Sequence, residues 1–99
     1  MRVITLRYFD GCPNWRVAEE RLRAALADLG EAGFRLVRER VETPGDAERL
    51  SFRGSPTVLI DGRDPFPGGE VGLSCRVYRT EAGAEGAPSV EQLRRALAG

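Results

Sequence analysis

Residues 2–29, RVITLRYFDGCPNWRVAEERLRAALADL, change their periodicity once, and that change decides the fold. Arg2 to Phe9 is a run of β-formers, with Val3, Ile4, Leu6, Tyr8 and Phe9. It reads as a strand, and the adjacent Val3 and Ile4 suggest burial on both faces. Gly11 breaks the run, and Pro13 takes the first-turn position that helices accept. From Trp15 the apolar residues fall at 15, 18, 22, 25, 26 and 29, a helical stripe. Charged residues, among them Arg16, Glu19, Glu20, Arg21 and Arg23, fill most of the other face, and Gly30 and Gly33 end the helix. A strand followed by a helix calls for a parallel partner strand.

Phe34 to Val41 supplies that partner, and the first crossover is expected to be right-handed. Thr43-Pro44-Gly45-Asp46 reads as a turn and cap before a short helix, Ala47 to Phe52. Thr57 to Asp61 is a third strand built on Val58, Leu59 and Ile60, and Asp61-Gly62 opens a turn. Arg63 to Gly72 is a Pro/Gly-rich loop, and Leu73 to Arg79 a fourth strand. Thr80 to Pro88 reads as a small-residue loop. Ser89 then caps a last helix, Val90 to Leu97, with Gln92 at the reciprocal position of a capping box. The expectation is one domain over residues 1–99, α/β in class, ordered β-α-β-α-β-β-α, with a mixed four-stranded sheet flanked by helices.

Composition narrows the function classes. Fifteen basic and fifteen acidic residues cancel, so no broad field draws the chain to nucleic acid or anionic lipid. Apolar residues make up 41% of the chain, enough for a core, yet no stretch reaches the roughly 20 residues of a membrane span. The N-terminal strand pattern lacks the features of a signal peptide, so the expected setting is the cytoplasm. Histidine is absent, which removes the usual imidazole base and metal ligand. Two cysteines alone make a poor zinc site, so neither a structural metal nor a cofactor is expected.

Those two cysteines carry the chemistry that remains. Cys12 sits between the first strand and the first helix, where unpaired N–H groups and the helix dipole favour a thiolate over a thiol. The bland alternative is a small buried residue filling space. Cys75 lies on the fourth strand, either as a core residue or as a second thiol within reach of Cys12.

Cys12-Pro13-Asn14-Trp15 at the strand–helix junction, Gly54-Ser55-Pro56-Thr57 before the third strand and Asp61-Gly62 after it together resemble the thioredoxin superfamily. The resemblance covers nearly the whole chain. It implies a cis peptide at Ser55-Pro56 facing the active thiol. It also implies thiol–disulfide exchange with a disulfide- or thiol-bearing protein or small molecule, with Pro13, Trp15, Ser55 and Pro56 around the substrate. Trp15 stands where that family's second cysteine belongs, so exchange would be of the monothiol kind, with Cys12 attacking and Cys75 as the resolving thiol. Trp15 otherwise reads as the first packing residue of the helix stripe.

The segments around Asp64-Pro65-Phe66, Leu73 to Arg79 and Gly86 to Ser89 are similar to those of small actinobacterial thioredoxin-like proteins, which are often labelled alkylmercury lyase. Cys12, Cys75 and Asp10 supply the residue types of true organomercurial lyases without their motif spacing. Two further functions follow. One is a thiolate trap for mercury or another soft ion. The other is a non-catalytic binding module with Phe66, in the Asp64-Pro65-Phe66-Pro67 loop, as an apolar anchor.

Overall fold

A computed structural model of the chain describes residues 1–66 and 68–99. The elements are β1 (Arg2–Tyr8), α1 (Asn14–Leu29), β2 (Phe34–Arg40), α2 (Pro44–Arg49), β3 (Arg53–Ser55), β4 (Thr57–Ile60), β5 (Gly72–Cys75), β6 (Tyr78–Thr80), β7 (Gly83–Glu85) and α3 (Val90–Ala98). The central sheet is mixed and has three strands in the order β2-β1-β4. β2 runs parallel to β1, with Arg2 opposite Phe34 and Tyr8 opposite Arg40. β4 runs antiparallel, with Ile4 opposite Ile60 and Arg7 opposite Thr57.

Period-two alternation along β1 divides its residues between the two faces. Ile4 and Leu6 are fully buried and meet Trp15, Ala18, Leu22, Ala25 and Leu26 of α1 and Leu93 and Leu97 of α3. This is the main core, and the helical stripe read from the sequence is the face of α1 that fills it. A smaller cluster of Val41, Ala47 and Phe52, with Phe9, Leu50 and Leu73 against it, forms around α2. Burial on both faces of β1 is therefore not general, and Val3 stands 38% exposed.

The caps follow sequence chemistry. Ser89 Oγ accepts from the Gln92 amide at 3.1 Å, and the Ser89 amide donates to Gln92 Oε1 at 3.0 Å, completing the expected capping box. Thr43 Oγ1 accepts from the Asp46 amide at 3.0 Å, and Pro44 follows as the first helical residue. α2 thus starts at Pro44 rather than at Ala47. It stops at Arg49, and beyond its cap Ser51 takes a φ of 52°.

The fourth strand departs most from expectation. Leu73 to Arg79 does not join the central sheet as one strand. It divides into β5, parallel to β3, and β6, which forms a hairpin with β7 inside the segment expected to be a loop. The central sheet is three-stranded because the first part of this segment pairs with β3 and the rest with β7, and Arg76, between the two pieces, is almost fully buried in an ion pair with Asp64. Among the described residues, no helix is long and apolar enough to cross a membrane.

Three carboxylates tie elements together at the surface. Glu19 of α1 meets Arg38 of β2 at 2.6 Å, and that hydrogen bond holds its carboxyl below the ordinary value. Asp61 is lowered first by the Val3 amide at 2.9 Å and then by Arg2 at 3.0 Å. Glu85 is lowered by the Thr80 hydroxyl and then by Arg21 at 2.8 Å. A carboxyl with a depressed folded pKa favours the fold once ionised. Its contribution is present above the ordinary values, 4.5 for Glu and 3.8 for Asp, and is lost as pH falls through the lowered folded values. The thermal midpoint is expected to stay flat from about pH 6 to 8, with no histidine to titrate, and to fall below about pH 4. Calorimetry across that range checks it. A midpoint unchanged down to about pH 2 would show that these pairs contribute nothing.

Candidate functional site

The two cysteines, 12 and 75 in sequence, meet at the end of β1 where α1 begins. Cys12 immediately precedes Pro13, the cap of α1, and its amide donates to Phe9 O at 3.2 Å. Its Sγ donates to Ser55 O at 3.4 Å, and the residue has no exposed surface. Cys75 arrives on β5, whose parallel register puts it opposite Ser55. Unlike Cys12, it is exposed. A hydrogen bond to Cys12 first, then burial and the charge of Cys12, push the Cys75 pKa up to about 11 from an ordinary 9.0.

The peptide loop between β3 and β4 is the frame for both thiols. The Ser55–Pro56 bond is cis, as the family resemblance implies. Each carbonyl of the loop has its own donor. Thr57 Oγ1 donates to Gly54 O at 2.6 Å, and Tyr78 Oη donates to Pro56 O. Ser55 O takes both the Cys12 thiol and the Arg76 amide, the latter at 2.9 Å. Ser55 Oγ in turn accepts from the Phe9 amide at 3.4 Å, fastening the loop to the end of β1. Burial pushes the Tyr78 phenol well above its ordinary range, so it serves as a neutral donor.

Close approach of β3 and β5 needs a glycine at 54. Its φ is +97°, and a Cβ there would meet Ser74 O and Arg76 Cβ at 3.1 Å. That approach sets Cys75 opposite Ser55, whose carbonyl takes the Cys12 thiol.

The residues expected around a substrate divide by burial. Ser55 and Pro56 are fully buried, so their side chains present no surface in this conformation. Trp15 is 8% exposed and belongs to the main core. Its ring stacks on Tyr8 with centroids 4.4 Å apart, and the Arg16 and Arg38 guanidinium groups lie 5.1 and 5.0 Å from the ring centroid. That environment gives Trp15 the packing role and leaves Pro13 as the exposed member of the four. Access to the thiols is also reversed. Cys12, expected to attack, is covered, and Cys75, expected to resolve, is open.

A cleft of about 320 Å³ opens beside the Cys12 loop, at the C-terminal ends of β1 and β2. Phe9, Asp10 and Gly11 form one wall and Arg40, Val41 and Glu42 the other. Arg40 bridges Asp10 at 2.9 Å and also pairs with Glu42, so Asp10 is engaged as an ion-pair partner. Phe66 is turned inward, edge-on to Tyr78 with centroids 5.7 Å apart, and is not a free anchor. The rest of that proposed rim, Pro67, lies outside the described residues. Among the described residues, no cluster of three or more Cys, Asp or Glu side chains is arranged to hold a metal ion.

Arg76 escaped the sequence reading altogether. It is 3% exposed, and its guanidinium reaches Asp64 Oδ2 at 2.7 Å, Phe66 O at 2.7 Å and Thr57 Oγ1 at 3.4 Å. A basic residue inside a strand pattern gives no sign of burial, because its partner Asp64 lies in the preceding loop.

No protein-family model matches the chain, and no curated protein matches it.

Proposed function

We propose that the protein is a thiol–disulfide oxidoreductase whose redox centre is the Cys12/Cys75 couple. The observation that carries this reading is the convergence of two thiols from separate elements on Ser55, Cys12 through its bond to Ser55 O and Cys75 through its place opposite Ser55 on β5, one covered and one exposed. The thioredoxin-like assignment is the fold side of the same proposal. Support for it comes from the β2-β1-β4 order, a cysteine at the start of α1 and a cis proline entering β4.

Burial assigns the order of steps. Substrate meets Cys75 first. The Cys75 thiol loses its proton to solvent, and its sulfur attacks one sulfur of a substrate disulfide. A Cys75–substrate bond forms, the substrate S–S bond breaks, and one substrate thiolate leaves. Cys12 then loses its proton to solvent or to that leaving thiolate, and attacks the Cys75 sulfur. The Cys12–Cys75 disulfide forms and the second substrate thiolate is released. Two electrons pass from the protein's thiols to the substrate, and a cellular thiol returns them. The setting that goes with this reading is the cytoplasm, whose thiol pools keep such a couple reduced between turnovers.

The test is oxidation of the reduced protein by oxidised glutathione, with peptide mapping. The expected product is a Cys12–Cys75 disulfide with two thiols lost per chain. Cys12→Ser and Cys75→Ser are both expected to bring glutathione-dependent reduction of a peptide disulfide down to the uncatalysed rate. A folded protein that forms no such bond at any glutathione ratio overturns the proposal.

A further inference from the structure

The buried guanidinium of Arg76 has no part in the exchange steps, yet it lies at the crossing of every segment that frames them. Its amide shares Ser55 O with the Cys12 thiol. Its guanidinium reaches Thr57 Oγ1, the hydroxyl that itself satisfies Gly54 O, and so holds the far side of the cis-proline loop. Asp64 and Phe66 O fix it from the loop that follows β4. The same group lies over the Tyr78 ring, 4.7 Å from its centroid, and Tyr78 Oη holds Pro56 O. Gly69 covers it closely, since a Cβ there would come within 3.2 Å of Arg76 Nε and 2.5 Å of Arg53 O. Among the described residues, Nε itself has no hydrogen-bond partner. An arginine side chain this deeply buried, with one donor unsatisfied, is costly on its own account, so its place calls for a return elsewhere.

We propose that Arg76 is a positioning residue that locks β5 onto the cis-proline loop and so holds Cys75 against Cys12. The inference rests on the two-cysteine reading above. Successive strand residues point to opposite faces, so Arg76 can clamp one side of β5 while Cys75 meets Cys12 on the other. The register between β3 and β5 shifts within three residues, from Arg53 opposite Gly72 to Ser55 opposite Cys75. An irregular two-strand ladder of this length has little to define it by itself, and a slip of one residue would turn Cys75 away. The planar fork of arginine reaches a carboxylate and a carbonyl together, which a lysine cannot copy.

The experiment is a glutathione equilibration of the full chain as wild type, Arg76→Lys and Asp64→Asn. The fraction of Cys12–Cys75 disulfide is read by mass spectrometry, and urea unfolding of each reduced form is measured alongside. Asp64 is partly exposed, so its variant keeps the fold if Arg76→Lys does not. Both folded variants are expected to form the disulfide about tenfold less favourably, equivalent to a couple about 30 mV more oxidising. A merely structural role would lower the urea midpoint and leave that equilibrium where it was, and this result overturns the proposal. If wild type forms no Cys12–Cys75 bond, the two-cysteine reading fails and takes this inference with it. If wild type forms the bond and the variants match it, Arg76 alone is excluded.

Discussion

Replacing Cys12 with alanine is expected to make Cys75 about tenfold more reactive toward iodoacetamide at pH 7. The Cys75 thiol is pushed up to about 11 first by its hydrogen bond to Cys12, then by burial and by the Cys12 charge. Cys12→Ala removes the bond and the charge together and leaves the partial burial. The midpoint should return toward the ordinary thiol value of 9.0. A fall of about two units raises the thiolate fraction at pH 7 by about a hundredfold. A less basic thiolate is also a weaker nucleophile, with a Brønsted slope near 0.45, which removes about tenfold of that gain. The net increase is about tenfold, and it carries a sign that simple loss of a neighbouring nucleophile would not produce. Labelling rates from about pH 6 to 11, followed on the Cys75 peptide alone, give the midpoint directly. Equal midpoints in wild type and Cys12→Ala would mean that the two sulfurs do not interact.

Trp15→Ala is expected to lower stability by about 3–5 kcal/mol, the range for removing a large aromatic side chain from a core. The ring is 8% exposed, stacks on Tyr8 and carries a guanidinium from Arg16 and another from Arg38. Close-packed interiors relax only partly around a deleted side chain, so the cavity term should persist. For a domain of this length the thermal midpoint would fall by more than about 12 °C. Trp15→Cys would place a second cysteine three residues after Cys12, and it is expected to carry nearly the same penalty. Urea unfolding of both variants checks this. A loss below about 1 kcal/mol would place Trp15 at the surface as a substrate contact, as the alternative sequence reading has it.

The parts of the fold legible in the sequence were those specified locally. The stripe at 15, 18, 22, 25 and 26 is the buried face of α1, and Ser89 and Gln92 make the expected cap of α3. The parallel pairing of β1 and β2 follows from the helix between them. What was missed depends on contacts across the chain. β3 is three residues long with Gly54 inside it, so no periodicity marks it. Leu73 to Arg79 has the composition of one strand, and the break at Arg76 comes from Asp64, Phe66 and Thr57, none of which is near it in sequence. The hairpin of β6 and β7 runs from Tyr78 to Glu85, and its turn and second strand hide in a run of small and polar residues that propensity assigns to a loop.

For the site, Cys12, Cys75, Ser55 and Pro56 were all legible as candidates, but their arrangement was not. Which thiol is open depends on β5 pairing with β3 through a shifted register. No local pattern encodes that pairing.

The distance in sequence between Cys12 and Cys75 has a thermodynamic consequence. A disulfide within a four-residue motif closes a loop that chain-entropy reasoning values at about 2 kcal/mol. A bond from Cys12 to Cys75 would close a loop of about 60 residues, and chain-entropy reasoning assigns such a loop about 4 kcal/mol of protection against unfolding. Electron transfer and resistance to denaturation would then be linked quantities. Any contact between β3 and β5 that is stronger in the oxidised form would make the disulfide harder to reduce, and each turnover would switch the constraint on the unfolded chain on and off.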